Sequence, residues 1–147
     1  MTATRLMQFA KQFGKYCDHR FAPIARRYGL SMREINVVLF LANNPGYDTA
    51  RDITEYRGIS KSQVSQAVEF LVELSYLTRT PDPDDRRLLH LALTEEGLAL
   101  ARECKAVQAR CGQDLLDGMT EDQVRQLQEL WEMVMANGER LSREVDQ

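Results

Sequence analysis

The stretch from Gly58 to Gly97 constrains the fold of this chain most, because it contains the start of a helix and, after that helix, two segments with the pattern of strands. Ser60-Lys-Ser-Gln63 has the spacing of a helix capping box and opens an amphipathic segment. Tyr76–Thr80 and Leu88–Leu93 then favour strands, the second with leucine at alternate positions. A helix that runs directly into a β-hairpin is therefore predicted.

Capping residues divide the rest of the chain into further helices. Apolar residues recur at steps of three and four from Leu6 to Tyr28, which predicts a first helix ended by Gly29. Pro23 should kink or interrupt that helix. Two more helices are expected before the predicted helix–hairpin unit and two after it. The second helix is expected to begin with the capping box Ser31–Glu34 and to end at Pro45-Gly46, and the third to begin at Asp48 or Thr49 and to end at Gly58. The fifth is expected to begin at Thr94 and to end at Gly118, and the sixth to begin at Thr120–Gln123.

The third and fourth helices are joined by Gly58-Ile59, which is the pattern of a helix-turn-helix with glycine in its short turn. With the hairpin added, the predicted fold class is mainly α with a small β-hairpin wing. This one architecture is expected to extend over residues 1–147. Its winged helix-turn-helix lobe is placed at residues 31–93, and a helical dimerisation region at residues 1–29 and 94–147.

The composition fits a folded chain without a membrane span. Of the 147 residues, 44% are hydrophobic and 28% are charged. No apolar run approaches the ~20 residues that cross a bilayer, and the first residues lack a signal-peptide pattern. A cytoplasmic location with no membrane partner is therefore predicted.

No motif in the chain indicates catalysis or metal binding. The three cysteines contain no CxxC pair, and their odd number argues against a disulfide framework. Their spacing does not match a zinc site, and the chain has only two histidines. The patterns of a nucleophile elbow, a phosphate loop and paired catalytic carboxylates are also missing. We therefore expect no enzyme, no metal and no cofactor.

The last predicted helix carries a stripe of apolar and small residues over nearly three heptads, which is typical of a coiled-coil-like interface. One interpretation is packing against the fifth helix of the same chain. Self-association is favoured, because a terminal helix far from a small lobe has little of its own chain to cover it, and symmetric dimers are the commonest oligomers. The stripe consists of Val124, Leu127, Trp131, Val134, Gly138 and Leu141.

The fourth helix combines an apolar side with a polar side. Short hydroxyl and amide side chains near its N-terminal end can bond base edges and phosphates, and glutamine can bond adenine twice. Glu69 and Glu73 should lie further from a nucleic acid, because recognition helices contact bases mainly through their N-terminal residues. A solvated surface helix is the alternative. The candidate contact residues are Ser60, Lys61, Ser62, Gln63, Ser65 and Gln66.

The hairpin loop favours nucleic-acid contact over that alternative. Seven residues, Pro81–Arg87, link the strands, although most hairpins need two to five. Adjacent arginines, Arg86 and Arg87, suit the phosphate backbone or a narrow minor groove. Asp85 is expected to orient an arginine through a charge-assisted bond. Arg79, in the first strand, completes the candidate set.

The segment from Ser60 to Gly97 resembles the winged helix of the multiple-antibiotic-resistance regulator (MarR) family of bacterial transcription factors. That family's hairpin motif is an aspartate, any residue, an arginine, three residues, an aliphatic, any residue, then leucine-threonine. It is met by Asp85, Arg87, Leu91, Leu93 and Thr94. Helix order and length extend the resemblance over nearly the whole chain.

The resemblance implies a homodimer joined by the first, fifth and sixth helices. It also implies that the fourth helix enters the major groove and that the wing arginine, Arg87, reaches the minor groove. Asp85 is then part of the wing site, and Arg86 could share the role of its neighbour. The implied partner is double-stranded DNA with an inverted-repeat operator.

Charge in the predicted lobe is nearly balanced. From Arg51 to His90 there are six cationic and seven acidic side chains, and the whole chain has a formal charge of −3. Bulk attraction to nucleic acid is therefore not expected. Binding should be modest, strongly dependent on salt, and based on segregated charge.

The resemblance also implies an effector pocket between the dimerising helices and the lobe, often for small aromatic or phenolic anions. The candidates are Tyr16, His19, Arg20 and Met32, although core packing of Tyr16 and Met32 and solvation of Arg20 are alternatives. A thiol-oxidation switch is known in the family, but nothing adjacent to Cys17 in the sequence would lower its pKa. The predicted function is a homodimeric DNA-binding transcriptional regulator, a repressor released by an effector. A protein-binding winged helix without DNA binding and a thiol-based redox sensor are the alternatives.

Overall fold

The computed structural model describes residues 2–145, which form six helices and one two-stranded antiparallel sheet. The predicted fold class, mainly α with a β-hairpin, is confirmed. The elements are α1 (Ala3–Tyr28), α2 (Met32–Asn43), α3 (Ala50–Arg57), α4 (Lys61–Glu73), β1 (Leu77–Pro81), β2 (Leu89–Leu93), α5 (Glu95–Leu115) and α6 (Glu121–Val145).

Most helix ends follow the predicted capping chemistry. Ser31 and Glu34 form a reciprocal capping box at α2, and Gly29 and Gly58 end α1 and α3 in the left-handed conformation that glycine adopts without strain. Thr49, rather than Asp48, caps α3. These short-range bonds explain why the helix boundaries could be placed from the sequence.

Pro23 does not interrupt α1, so that part of the prediction is wrong. The residues on either side of it, Phe21 and Ile24, are buried in the core. Their packing holds the helix together where the proline removes one backbone donor.

The capping box predicted at α4 forms only in part. The backbone N–H of Gln63 donates to Ser60 Oγ over 3.3 Å, as expected. In the other half, Ser60 Oγ donates to Gln63 Oε1 over 3.1 Å. The side-chain oxygen of Gln63 therefore accepts from the Ser60 hydroxyl instead of from the Ser60 backbone N–H.

Of the described residues, 2–111 form one compact unit and 112–145 a second. In the first unit, α4 packs against α2 and α3, and α2 is the most deeply buried helix. Both α1, through Phe21 and Ile24, and α5, through Leu100 and Cys104, contribute to this core. The second unit contains α6, none of whose described residues is buried. Its start is a reciprocal capping box between Thr120 and Gln123, as predicted.

The hairpin pairs Leu77 with Leu93 at one end and Pro81 with Leu89 at the other. Each strand begins one residue later than predicted, at Leu77 and Leu89. Its second strand also borders the segment before α3. The backbone N–H of Leu91 donates to the carbonyl of Asp48 over 2.7 Å, and a bridge pairs Thr49 with His90. The hairpin is therefore attached to the helix-turn-helix along its outer edge.

The junction between the hairpin and α5 is closely packed. Thr94 Oγ1 donates to the carbonyl of Ser75 over 2.7 Å and accepts from the backbone N–H of Gly97 over 3.0 Å. A Cβ atom at position 97 would lie 2.1 Å from the carbonyl oxygen of Tyr76. The close approach of these two backbones thus requires glycine.

Gly97→Ala is therefore expected to destabilise the chain by about 1–3 kcal/mol, the usual cost of overpacking a site that must shift. Gly14→Ala is the matched control, because no atom lies within 4 Å of a Cβ added there. In a helix interior that change should stabilise by about 0.5–1 kcal/mol. Urea unfolding at one protein concentration measures both, and equal stabilities for the two variants would contradict the packing.

Candidate nucleic-acid interface

One side of α4 is exposed and polar, while the other lies in the core. Val64, Ala67 and Leu71 are completely buried, which fixes the rotation of the helix about its axis. The hydroxyl and amide side chains are therefore presented to solvent. All six candidates from the start of the helix are exposed: Ser60, Lys61, Ser62, Gln63, Ser65 and Gln66.

Gln66 has a neighbour that the sequence analysis missed. Arg33, in the first turn of α2, donates from Nη1 to Gln66 Oε1 over 3.0 Å. The two residues are 33 positions apart and lie on different helices. No local pattern in the sequence could have paired them.

Arg79 is paired with an acid of the recognition helix α4. Its Nη1 lies 2.8 Å from Glu69 Oε2, and its Nη2 lies 3.3 Å from Glu69 Oε1. This two-point contact fixes the orientation of the planar guanidinium. The charge of Arg79, a predicted DNA contact, is thus offset by Glu69, and the pair joins β1 to α4.

The hairpin loop is folded around aspartate side chains. Asp82 Oδ1 accepts from the backbone N–H groups of Asp84 and Asp85 over 2.8 and 2.9 Å. Asp85 Oδ1 accepts from the backbone N–H of Arg87 over 3.0 Å. Among residues 2–145, Asp85 contacts Arg87 through the backbone N–H and not through the guanidinium, and its role in orienting an arginine stays a prediction.

The two loop arginines, Arg86 and Arg87, are exposed. Among residues 2–145, neither guanidinium has a hydrogen bond or an ion pair with the protein. Lys61, at the start of α4, is also exposed, and its ammonium group likewise has no hydrogen bond or ion pair among the described residues. Arg51, in α3, is also exposed and without such a partner, so four cations of this nearly neutral lobe are left available for phosphates.

His90 lies between two carboxylates that come from different segments. Its Nδ1 is 2.8 Å from Asp48 Oδ1, and its Nε2 is 3.0 Å from Asp82 Oδ2. We call these three residues the wing clasp. A neutral imidazole has only one N–H donor, so both bonds form only when the ring is protonated.

Titration of the wing clasp reflects this geometry. The hydrogen bond to Asp82, followed by that to Asp48, raises the pKa of His90 above its ordinary value of 6.5. In return, the bond from His90, with those from the backbone of Asp85 and Asp84, lowers the pKa of Asp82 from 3.8 to about 2. The protonated ring thus joins the loop to the segment before α3.

The four effector candidates differ in their exposure. Tyr16 is half-buried, His19 and Arg20 are exposed, and Met32 packs against the core. A pocket of about 300 Å³ lies elsewhere, between the end of α2 and the start of α5. None of the four lines it, and their assignment stays a prediction. The lining is Leu41, Ala42, Asn44, Pro45, Gly46, Tyr47, Asp48, Leu91, Ala92, Leu93 and Leu98.

The cysteines are mostly enclosed. Cys104 and Cys111 are buried, as expected for small apolar side chains. Burial, together with a side-chain hydrogen bond to Cys111, raises the pKa of the Cys17 thiol to about 11. Cys17 is therefore a thiol and not a reactive thiolate at neutral pH.

Within residues 2–145, no three or more histidine, cysteine, aspartate or glutamate side chains are grouped so as to hold a metal ion. Over the same residues, no helix combines the length and the apolar character that crossing a bilayer demands.

The wing clasp should make stability depend on pH. Because the folded pKa of His90 is raised, its contribution is complete below pH 6.5 and is lost as pH rises through the folded value. Because the pKa of Asp82 is lowered, its contribution is present above pH 3.8 and is lost as pH falls towards 2. The urea midpoint is therefore expected to fall as the pH rises above 6.5 and passes through the folded pKa of His90.

His90→Gln should remove most of this alkaline decline. His19→Gln is the matched control, since it replaces the only other histidine, an exposed one, and should leave the decline unchanged. A wild-type slope in His90→Gln would show that the clasp does not titrate with folding.

Comparison with known proteins agrees with this geometry. Residues 28–88 match the model of the MarR family. The HTH-type transcriptional regulator TcaR of Staphylococcus aureus is 24% identical over 132 residues, covering 88% of this chain and 85% of its own. The HTH-type transcriptional repressor IacR of Pseudomonas putida is 28% identical over 104 residues, covering 71% of this chain and 62% of its own.

Solved structures show the same fold. A MarR transcriptional regulator from Methanosarcina mazei Go1 superposes with a TM-score of 0.80 at 22% identity, covering 94% of this chain and 99% of that one. CouR from Rhodococcus jostii RHA1, bound to p-coumaroyl-CoA, superposes with a TM-score of 0.67 at 24% identity, covering 88% and 87%. These matches show that residues 28–88 are similar to the MarR family of transcriptional regulators and that the chain has the fold of solved MarR regulators.

Proposed function

We propose that this chain is a homodimeric, sequence-specific DNA-binding regulator that represses transcription until a small molecule releases it. One observation carries the proposal: the exposed start of α4 and the unpaired arginines of the loop belong to one unit, in which Glu69 and Arg79 tie the two elements together. A helix and a hairpin linked in this way can contact adjacent grooves of one duplex.

Recognition would be divided between the two elements. The side chains at the start of α4 meet base edges in the major groove, where hydroxyl and amide groups discriminate between base pairs. Arg87, with Arg86 beside it, meets the backbone or the narrow minor groove. Binding then depends on a few placed cations, since the lobe has no excess of positive charge.

The proposal of a homodimer is supported by the surface of α6. A contiguous apolar surface on one helix is characteristic of an interface. Two-fold symmetry would match an inverted repeat with half-site centres about 34–36 Å apart. DNA as a partner also supports the predicted cytoplasmic location. The exposed apolar residues of α6 are Leu127, Leu130, Trp131, Met133, Val134, Met135, Leu141 and Val145.

Relatives support the remaining parts of the proposal. IacR is named a repressor, and the CouR structure contains bound p-coumaroyl-CoA, an aromatic acyl-CoA. A small aromatic or phenolic effector is thus the proposed signal for this chain, with Tyr16, His19, Arg20 and Met32 as candidate contacts. Operator complexes that a panel of aromatic carboxylates does not dissociate would remove this part of the proposal.

The alternatives are less well supported. Thiol-based redox sensing would require a reactive thiolate, whereas the pKa of Cys17 is raised to about 11. A protein-binding winged helix would not need two unpaired arginines at its tip. Failure of a folded dimer to bind random duplex DNA at low salt would favour that second alternative.

Arg87→Ala is expected to weaken operator binding by about 1–3 kcal/mol and to reduce the slope of log K against log salt by about one. Arg102→Ala, which removes an exposed arginine of α5, is the charge-matched control and should change binding little. Fluorescence anisotropy across a salt series measures both. Wild-type affinity in Arg87→Ala would remove this residue from the interface, and salt-independent binding would refute phosphate contact.

Trp131→Glu is expected to give a monomer in analytical ultracentrifugation, because it replaces an apolar side chain that is 51% exposed with a charged one in the proposed interface of α6. Operator affinity should fall by at least about tenfold, since two half-sites would no longer be bound by one molecule. Glu129→Gln, on the same helix, should remain dimeric. A dimeric Trp131→Glu protein would place the interface elsewhere.

A further inference from the structure

The hydrogen bond between Arg33 and Gln66 joins a residue outside the recognition helix to one of its candidate base contacts. Arg33 Nη1 lies 3.0 Å from Gln66 Oε1. Arg33 is half-buried in the first turn of α2, whereas Gln66 is exposed on α4. Because α2 and α4 pack together in the same core, the distance between their backbones is set by buried side chains.

The direction of this bond is determined by chemistry. A guanidinium group has N–H donors and no acceptor, so a side-chain amide can meet it only with its oxygen. The Nε2 amino group of Gln66 must then point away from Arg33. An amide held in this way offers two N–H donors to a partner, while one of the two lone pairs of its oxygen is already engaged by Arg33.

We propose that Arg33 is a positioning residue that sets the base preference of Gln66. This inference rests on the proposed DNA-binding function. Guanine presents two acceptors, O6 and N7, in the major groove, whereas adenine presents one acceptor and one donor. A glutamine free to turn can bond adenine through both of its atoms. With its oxygen engaged by Arg33, Gln66 favours guanine.

A direct role for Arg33 at the phosphate backbone predicts a different result. Phosphate contacts fix the register of a protein on DNA but carry no direct information on sequence. Loss of such a contact would weaken binding to all sequences alike. Base preference, and not affinity, therefore separates the two roles.

Selection of bound sequences from a random duplex pool tests the proposal. Gln66→Ala first identifies the base position that Gln66 contacts, as the position where selectivity is lost. The wild-type protein is expected to prefer guanine over adenine there by about tenfold, as for other specific hydrogen-bonded contacts. Arg33→Met, which keeps an unbranched apolar stem without donors, should abolish that preference or reverse it towards adenine.

Two further variants control the interpretation. Arg33→Lys retains a donor and should keep the guanine preference, whereas Arg102→Met, at an exposed arginine of α5, should leave every preference unchanged. If Arg33→Met fails to fold by circular dichroism, the same comparison between Arg33→Lys and Arg33→Leu replaces it, because leucine has no donor. Loss of the preference is then expected only in Arg33→Leu.

The outcomes distinguish this inference from the proposed function. A wild-type protein that selects no sequence refutes sequence-specific DNA binding, and the role of Arg33 with it. Selection by the wild type that Arg33→Met leaves unchanged refutes Arg33 alone. Uniformly weaker binding with the same preferences assigns Arg33 to the phosphate backbone instead and overturns its role in positioning Gln66.

Discussion

The attachment of the hairpin to the helix-turn-helix is the constraint on which the rest of the candidate site depends. A two-stranded hairpin is marginally stable alone, so its position must be supplied by its neighbours. One edge is held by the backbone bond from Leu91 to Asp48, and the strand β1 is held to α4 through Arg79 and Glu69. Side chains that are far apart in sequence therefore come to share one surface.

These ties also explain how a lobe with slightly more acids than cations can face a polyanion. Glu69 is paired with Arg79, and Asp82 with His90, so two of the acids are held inside contacts with the protein. Asp85 is used by the turn of the loop. The cations without partners, Arg51, Lys61 and the two loop arginines, remain available for phosphates. The net charge of the sequence could not have shown this arrangement, because it depends on which charges pair.

Local chemistry accounts for what could be predicted. Helix starts at Ser31, Thr49 and Thr120 were accessible from the sequence because a cap and its partner lie only three residues apart. The exposed face of α4 followed from helical periodicity. Contacts between distant segments were not accessible, since Arg33 and Gln66, or Asp48 and His90, are brought together only by the packed core. The error at Pro23 has the same origin, because burial of the side chains around it overrode local preference.

The exposed state of α6 has a consequence for how the chain acquires its structure. No described residue of this helix is buried, so its own chain supplies mainly backbone bonds and surface pairs such as that between Arg140 and Glu144. Isolated helices gain little stability from such terms alone. If a second copy covers the apolar side, helix formation and association become one equilibrium. The extent to which α6 is ordered would then follow the abundance of the protein, which makes copy number itself a structural variable.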